Sequence, residues 1–307
     1  MHRRSLRGLA VSHIFMMLLI AIILFAAKKR TGLASPSAFI AAVILMDGLY
    51  LCSFTGSTVK GRTREGMSDI IIFIWLCLTA WEIWTSVTAL AHPVLIPSPE
   101  NVFNVFVDQW KTILINIAYS MELLMTGMLI GLAVSTITGL YAGWNKRLHD
   151  FIYPVANVLA PIPAIVISPY LVLLMPSFRS ASVLVIILGV FWPTLLGTMN
   201  RISGMDRRIL DSARMLNPSN ATMIWKVLLP YIFPGIISGL KVTMTTSMLM
   251  LNFAELMGAT HGMGYFIQNS IAYANYTRAV AGIIVIGVVV TVLCAIITKL
   301  QKKLIWY

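Results

Sequence analysis

Eight stretches of this sequence are each long enough and apolar enough to cross a bilayer, which excludes an ordinary soluble fold. Hydrocarbon offers no partner to a backbone N–H or C=O, so such stretches close their own hydrogen bonds as helices. The runs cover residues 9–27, 37–54, 70–90, 119–142, 151–175, 180–199, 231–259 and 279–298. The fifth contains Pro154, Pro161, Pro163 and Pro169, with Pro176 just beyond it. That many prolines predict a kinked or broken helix, tolerated where its freed carbonyls face protein or a water-filled cavity. The fourth carries Gly127, Gly131 and Gly139 at spacings suited to close helix contact.

The fold class expected is therefore all-α: a polytopic membrane protein. Hydrophobic residues make up 58% of the chain and charged ones 11%. The net charge of +12 does not point to nucleic acid, because Lys and Arg cluster at the ends of apolar runs and form no stripe interleaved with aromatics. Basic loops at 60–64, 145–147, 201–226 and 299–303 belong on the cytoplasmic side by the positive-inside rule, with both termini inside. Against this, Lys28-Lys29-Arg30 then lies outside, opposite Arg3, Arg4 and Arg7. No small-residue cleavage site follows the first run, which reads as a span and not a signal peptide. Residues 99–116, after a Pro-rich connector at 92–98, read as an amphipathic surface helix feeding the fourth span.

The longest polar interruption in the second half, residues 201–230, reads as two short helices joined by a tight turn. The first covers 206–216, with Ile209, Leu210, Ala213, Met215 and Leu216 as its apolar side and Arg207, Arg208 and Arg214 around it. Asn217-Pro218 ends it, since Asn tolerates the left-handed conformation and Pro cannot continue a helix. Ser219 caps the second helix, which runs to Pro230. The apolar side of the first helix calls for a partner.

Enzyme chemistry finds no support. The sequence has no HExxH, GxSxG, P-loop or Gly-rich dinucleotide turn, and the five histidines are scattered. Cys52, Cys77 and Cys294 sit singly in apolar runs without metal-ligand or disulfide spacing. The methionines of the seventh run, Met244, Met248, Met250 and Met257, read as adaptable packing. Acids within spans are costly and so informative: Asp47, Glu82, Glu122 and Glu255. Glu82 and Glu122 lie near span ends and are expected to reach the interface. Glu255 is expected to hold the 260–264 turn through backbone amides, the alternative being a place on a translocation path.

Within 201–230, Asp211-Ser212-Ala213, then Asn217, then Leu229-Pro230 keep the spacing of a known signature: Glu-Ala-Ala, three residues, Gly, and a closing Leu-Pro. The chain thereby resembles the permease subunits of bacterial ATP-binding-cassette importers, the binding-protein-dependent family. Leu95-Ile-Pro-Ser-Pro-Glu, Pro234-Gly-Ile-Ile-Ser-Gly-Leu-Lys and Ala254-Glu255-Leu256 with Gly262-Met263-Gly264 resemble segments of its nitrate, sulfonate and taurine branch. Asp for Glu keeps the carboxylate, and Asn for Gly keeps the turn.

The resemblance implies a six-span permease core over 67–307 with a cytoplasmic coupling hairpin, and a two-span N-terminal extension over 1–66. It implies a bacterial plasma-membrane protein that docks on an ATP-binding-cassette ATPase dimer through Leu210, Asp211, Ser212, Ala213, Arg214, Met215, Leu216, Asn217 and Pro218. A second permease copy or paralogue would complete the path, and an extracytoplasmic binding protein would deliver the solute. This chain would bind no cofactor and catalyse nothing, ATP and Mg belonging to the ATPase. Candidate path residues, on the fifth and seventh runs, are Asn157, Ser168, Thr245, Asn252 and Glu255. The branch implies a small organic or inorganic anion such as sulfonate, taurine or nitrate; alternatives are a thiamine-precursor pyrimidine or riboflavin. A secondary transporter working without an ATPase is disfavoured by the hairpin and by the lack of an ion-coupling acid cluster.

Overall fold

The computed structural model describes residues 2–55 and 61–304. The basic loop expected at Lys60 falls outside them, as do the side chains of Arg3, Arg4 and Arg62. The described chain is helical, without strands: α1 (His2–Phe25), α2 (Ser37–Thr55), α3 (Gly61–Glu82), α4 (Pro99–Asp108), α5 (Trp110–Trp144), α6 (Lys146–Leu159), α7 (Ser168–Leu174), α8 (Phe178–Ser203), α9 (Arg207–Met215), α10 (Asn220–Thr222), α11 (Leu229–Leu256), α12 (Met263–Ala272) and α13 (Tyr276–Leu304). A π-helical turn, Ile83–Val87, extends α3, and a second, Met223–Leu228, joins α10 to α11.

Seven helical segments among the described residues are long and apolar enough to cross a membrane. The fifth expected run, 151–175, is divided into α6, a 3₁₀ turn at Ala164–Val166 and α7. Pro161 and Pro163 fall in the gap, and Pro169 sits in the first turn of α7, where its missing N–H costs nothing. The expected surface helix is also shorter. It ends at Asp108, Gln109 leaves helical geometry, and α5 begins at Trp110 as one helix of 35 residues. At 1.5 Å per residue that is about 52 Å, well beyond the ~30 Å hydrocarbon thickness.

The chain divides into two compact units, residues 1–113 with 269–283 and residues 114–268 with 284–307. In the first, α2 buries Phe39, Val43, Asp47, Tyr50 and Phe54, a helical stripe, and exposes Ile44, Leu45 and Leu49 on its far side. The stripe joins Leu19 and Ile23 of α1 and Trp75 of α3, and Phe39 stacks on Phe103 of α4 at 4.9 Å. Two polar pairs link helices inside this unit. His13 Nε2 lies 3.2 Å from Asp47 Oδ2, and Tyr50 Oη lies 2.8 Å from Ser68 Oγ.

Lys28 sits between two fully buried carboxylates, Glu82 (3.3 Å) and Glu100, and the Ser86 hydroxyl lies within hydrogen-bond distance of both, 2.9 Å from Glu100 Oε2 and 3.2 Å from Glu82 Oε2. Arg30 donates to the carbonyls of Ile96 and Pro93. Glu82 therefore does not reach the interface as expected; it is enclosed beside Glu100, with Lys28 of the α1–α2 loop between the two acids. Glu122, by contrast, is half exposed and paired with Arg179. Burial works against the Lys28 ammonium, but its hydrogen bond to Glu100 and the two acidic charges outweigh that and raise its pKa above the ordinary lysine value. Burial works against the Glu100 carboxylate too, yet Lys28 holds its pKa below the usual range. The raised lysine stabilises until pH climbs through its folded value, and the lowered carboxylate until pH falls through its own, so the pair holds across the neutral range.

In the second unit α5 and α8 approach closely. A Cβ added at Gly127 would stand 2.7 Å from Ile186 Cβ, at Gly131 3.1 Å from Val190 Cβ, at Gly139 2.8 Å from Thr198 Cβ, and at Gly143 2.7 Å from Ile202 Cδ1. With the buried Ser135, the small residues recur every fourth position and form one groove along α5. Leu123, Leu124 and Met128 of α5 join Ile186 and Val190 of α8, Met244, Met248 and Leu251 of α11, and Ile297 of α13 in one core.

Gly127→Val and Gly139→Val are expected to lower stability by about 1–3 kcal/mol through overpacking. Gly48→Val, where a Cβ meets open space, should change little. Thermal unfolding of the three variants in detergent checks this. Lys28→Met leaves two buried carboxylates without their cation and is expected to cost about 3–5 kcal/mol in the same assay.

Candidate functional site

The hairpin forms as its sequence dictates. Asp206 caps α9 by accepting from Arg208 N at 2.9 Å, and Ser219 caps α10 by accepting from Thr222 N at 3.2 Å. Between them Asn217 adopts φ +46°, the left-handed turn that an asparagine tolerates. Pro218 follows.

The nine expected coupling residues do not share one role. Leu210 and Ala213 turn inward and pack on a core of Leu140, Ile202, Met205, Met223, Ile224, Leu228 and Ile232. Arg214 lies over the Trp144 ring at 5.7 Å and 3.8 Å from Asp211, and Trp144 Nε1 donates to Asn220 Oδ1 at 3.2 Å. Ser212 donates back to the Arg208 carbonyl at 2.7 Å. What faces outward is the tip: Met215 is 87% exposed, Leu216 84% and Ile209 43%. One side of α9 thus anchors the hairpin to α5, α8 and the start of α11, while the C-terminal end presents bare apolar surface. Sequence periodicity placed all these apolar residues on one helix but could not divide them between an inner and an outer contact.

A second constellation lies at the end of α11. Glu255 is 1% exposed; Oε1 accepts from Ser120 Oγ at 2.6 Å and Oε2 from Gly264 N at 2.7 Å. Ser120 Oγ accepts from Met263 N, and Asn116 Oδ1 accepts from Gly262 N, each at 2.8 Å. Gly262 has φ +123°, and a side chain there would overlap the Glu255 carboxylate. The glycines of Gly262-Met263-Gly264 therefore leave room for a carboxylate to bind the turn's backbone. Asn116 and Ser120 were not singled out from the sequence, although their spacing of four on the start of α5 is the signal that placed them together.

The remaining path candidates are dispersed. Asn157 is exposed on α6, and Ser168 is buried and donates to the Ile165 carbonyl at 2.8 Å. Thr245 is exposed and donates to the Lys241 carbonyl at 3.0 Å. Asn252 donates to the Met248 carbonyl at 2.9 Å, while its own oxygen is buried without a partner among the described residues.

The sequence pattern of the family described as binding-protein-dependent transport system inner membrane component matches residues 131–305, more than half of the chain and the whole of the hairpin and the Glu255 turn. The chain belongs to this family. It is 27% identical over 247 residues, 80% of this chain and 89% of the relative, to the putative aliphatic sulfonates transport permease protein SsuC of Bacillus subtilis (strain 168). It is 26% identical over 239 residues, 74% of this chain and 85% of the relative, to the taurine transport system permease protein TauC of Escherichia coli (strain K12). Among solved structures, an inward-facing MetNI methionine ABC transporter chain superposes with a TM-score of 0.53 at 16% identity, over 64% of this chain and 96% of that one. This likeness concerns the fold. The protein is thus a multi-pass inner-membrane permease subunit of the ATP-binding-cassette importer type, in the nitrate, sulfonate and taurine branch.

Glu255→Ala leaves the donors of Ser120 and Gly264 buried without this acceptor, which is expected to cost about 1–3 kcal/mol for each. Glu255→Gln keeps one oxygen acceptor and should lose less. The order of thermal midpoints, wild type above Gln above Ala, is the check; equal midpoints for Ala and wild type would remove the carboxylate from this role.

Proposed function

We propose that this chain forms half of the translocation path of an ATP-driven importer and couples to a cytoplasmic ATPase through the tip of α9. The observation that carries the reading is the division of that hairpin. Its inner side is fixed to the permease's own core, so motion at the tip reaches α8 and α11, and its outer end exposes Met215 and Leu216 to a partner. Seating two such side chains in a groove yields about 1.5–3 kcal/mol each. Asp211 and Arg214 supply a polar rim beside them. Asn217 and Pro218 stiffen the turn that follows.

On this reading the chain is non-catalytic, and ATP and Mg bind the partner. A second copy or a related permease completes the pore, and a binding protein outside delivers the solute. With the broken segment α6–α7 completing an eighth crossing, both termini lie in the cytoplasm. Of the positive charges in the α1–α2 loop, which stand against that orientation, Lys28 is paired with Glu82 and Glu100, and Arg30 is hydrogen-bonded to backbone carbonyls. The solute is a small anion of the sulfonate class, supported by the similarity to aliphatic sulfonates and taurine transport permeases.

Leu216→Asp should cut co-purification of an ATPase subunit at least about tenfold and abolish ATP-dependent uptake of a sulfonate such as taurine, without loss of membrane insertion. Uptake at the wild-type rate by this variant would remove α9 as the coupling element.

A further inference from the structure

We propose that the cleft between α8 and α11, near Arg201, binds a tetrahedral oxyanion: a phosphate or sulfonate group. The cleft has a volume of about 190 Å³, well above the ~30 Å³ that a water molecule occupies in the liquid. On α8, Thr194, Gly197, Thr198 and Arg201 line it from one helical face, and Gly235 and Gly239 line it from α11. Three observations define the ligand. The Arg201 guanidinium has no carboxylate partner among the described residues, and no acid lines the cleft. Thr198, a residue that lines the cleft, is 2% exposed, and its buried hydroxyl has no hydrogen-bond partner among them, a costly state for a donor. Gly197 and Gly239 meet nothing within 4 Å where a Cβ would stand, which leaves backbone bare at one point on each wall, whereas a side chain at Gly235 would overlap the Arg201 guanidinium lying against it.

A cation at the end of a span commonly reaches for the headgroup region without forming a site. That account leaves the orphan hydroxyl and the bare glycine walls unexplained. A tetrahedral oxyanion accounts for all three, since a guanidinium holds it through charge-assisted, bidentate hydrogen bonds, Thr198 donates a further bond, and the glycines give room for its oxygens. The same chemistry is carried by a phospholipid headgroup and by a free sulfonate or phosphate. The inference rests on the cleft alone and holds or fails whether or not α9 docks on an ATPase.

The test uses the full chain, as wild type, Arg201→Gln, Gly239→Val and Lys241→Gln. A Cβ at 239 meets nothing within 4 Å, so Gly239→Val narrows the cleft and keeps Arg201, and it decides the matter if Arg201→Gln folds poorly. Lys241, exposed on α11 two residues after Gly239 and not among the cleft's lining residues, controls for general loss of charge. One arm measures the thermal midpoint in detergent with sodium sulfate against sodium chloride at matched ionic strength. The other measures phosphatidylglycerol retained from phosphatidylglycerol–phosphatidylcholine nanodiscs by mass spectrometry. A sulfate response about tenfold weaker in Arg201→Gln and Gly239→Val, but intact in Lys241→Gln, supports a free oxyanion site. Phosphatidylglycerol retained by wild type and Lys241→Gln and lost in the other two supports a headgroup site. Wild type and Arg201→Gln behaving alike in both arms, or Lys241→Gln losing the response equally, overturns the proposal.

Discussion

The second unit depends on how close α5 and α8 come. Lipid tails are as apolar as leucine, so burying an apolar face between two spans gains little from the hydrophobic effect. What remains is dispersion, which falls off steeply with separation. Gly127, Gly131, Ser135, Gly139 and Gly143 let Ile186, Val190, Thr198 and Ile202 settle against the α5 backbone. That contact fixes the C-terminal end of α8, and with it the start of the hairpin.

On this packed frame a few polar locks decide local geometry. Glu255 takes two donors from separate segments and holds the turn into α12. Lys28 does the same for the first unit, holding the α1–α2 loop against Glu82 and Glu100. Each lock works because the low-dielectric interior makes an unpaired charge or donor expensive, so breaking one partner costs more than the pair contributes. They specify arrangement as much as they stabilise it.

The hairpin combines both kinds of contact. Leu210 and Ala213 hold it by packing, and Arg214 over Trp144 and Trp144 to Asn220 hold it by polar contact, while Met215 and Leu216 stay outside. An element anchored on one side and bare at its tip suits force transmission better than a free loop, because its anchored side cannot yield independently. The π-helical turn Met223–Leu228 that follows, and Pro230 and Pro234 beyond it, place the irregular backbone of α11 next to this element.

Much of this was legible from residue order alone, because the relevant physics is local. Run length and hydropathy determined seven of the eight expected spans, the prolines of 151–175 determined a broken helix, the four-residue glycine spacing determined a tight helix contact, and Asp206, Asn217 and Ser219 determined where the hairpin starts, turns and restarts. The expectation that Glu82 reaches the interface failed, since its distance from a span end says nothing about a lysine 54 positions earlier. Tertiary structure alone decided that Lys28 meets Glu82 and Glu100, that Asn116 and Ser120 meet the Glu255 turn, and that Leu210 faces inward while Leu216 faces out. Those outcomes depend on which side chains lie opposite each other in space, and period and composition carry no record of that.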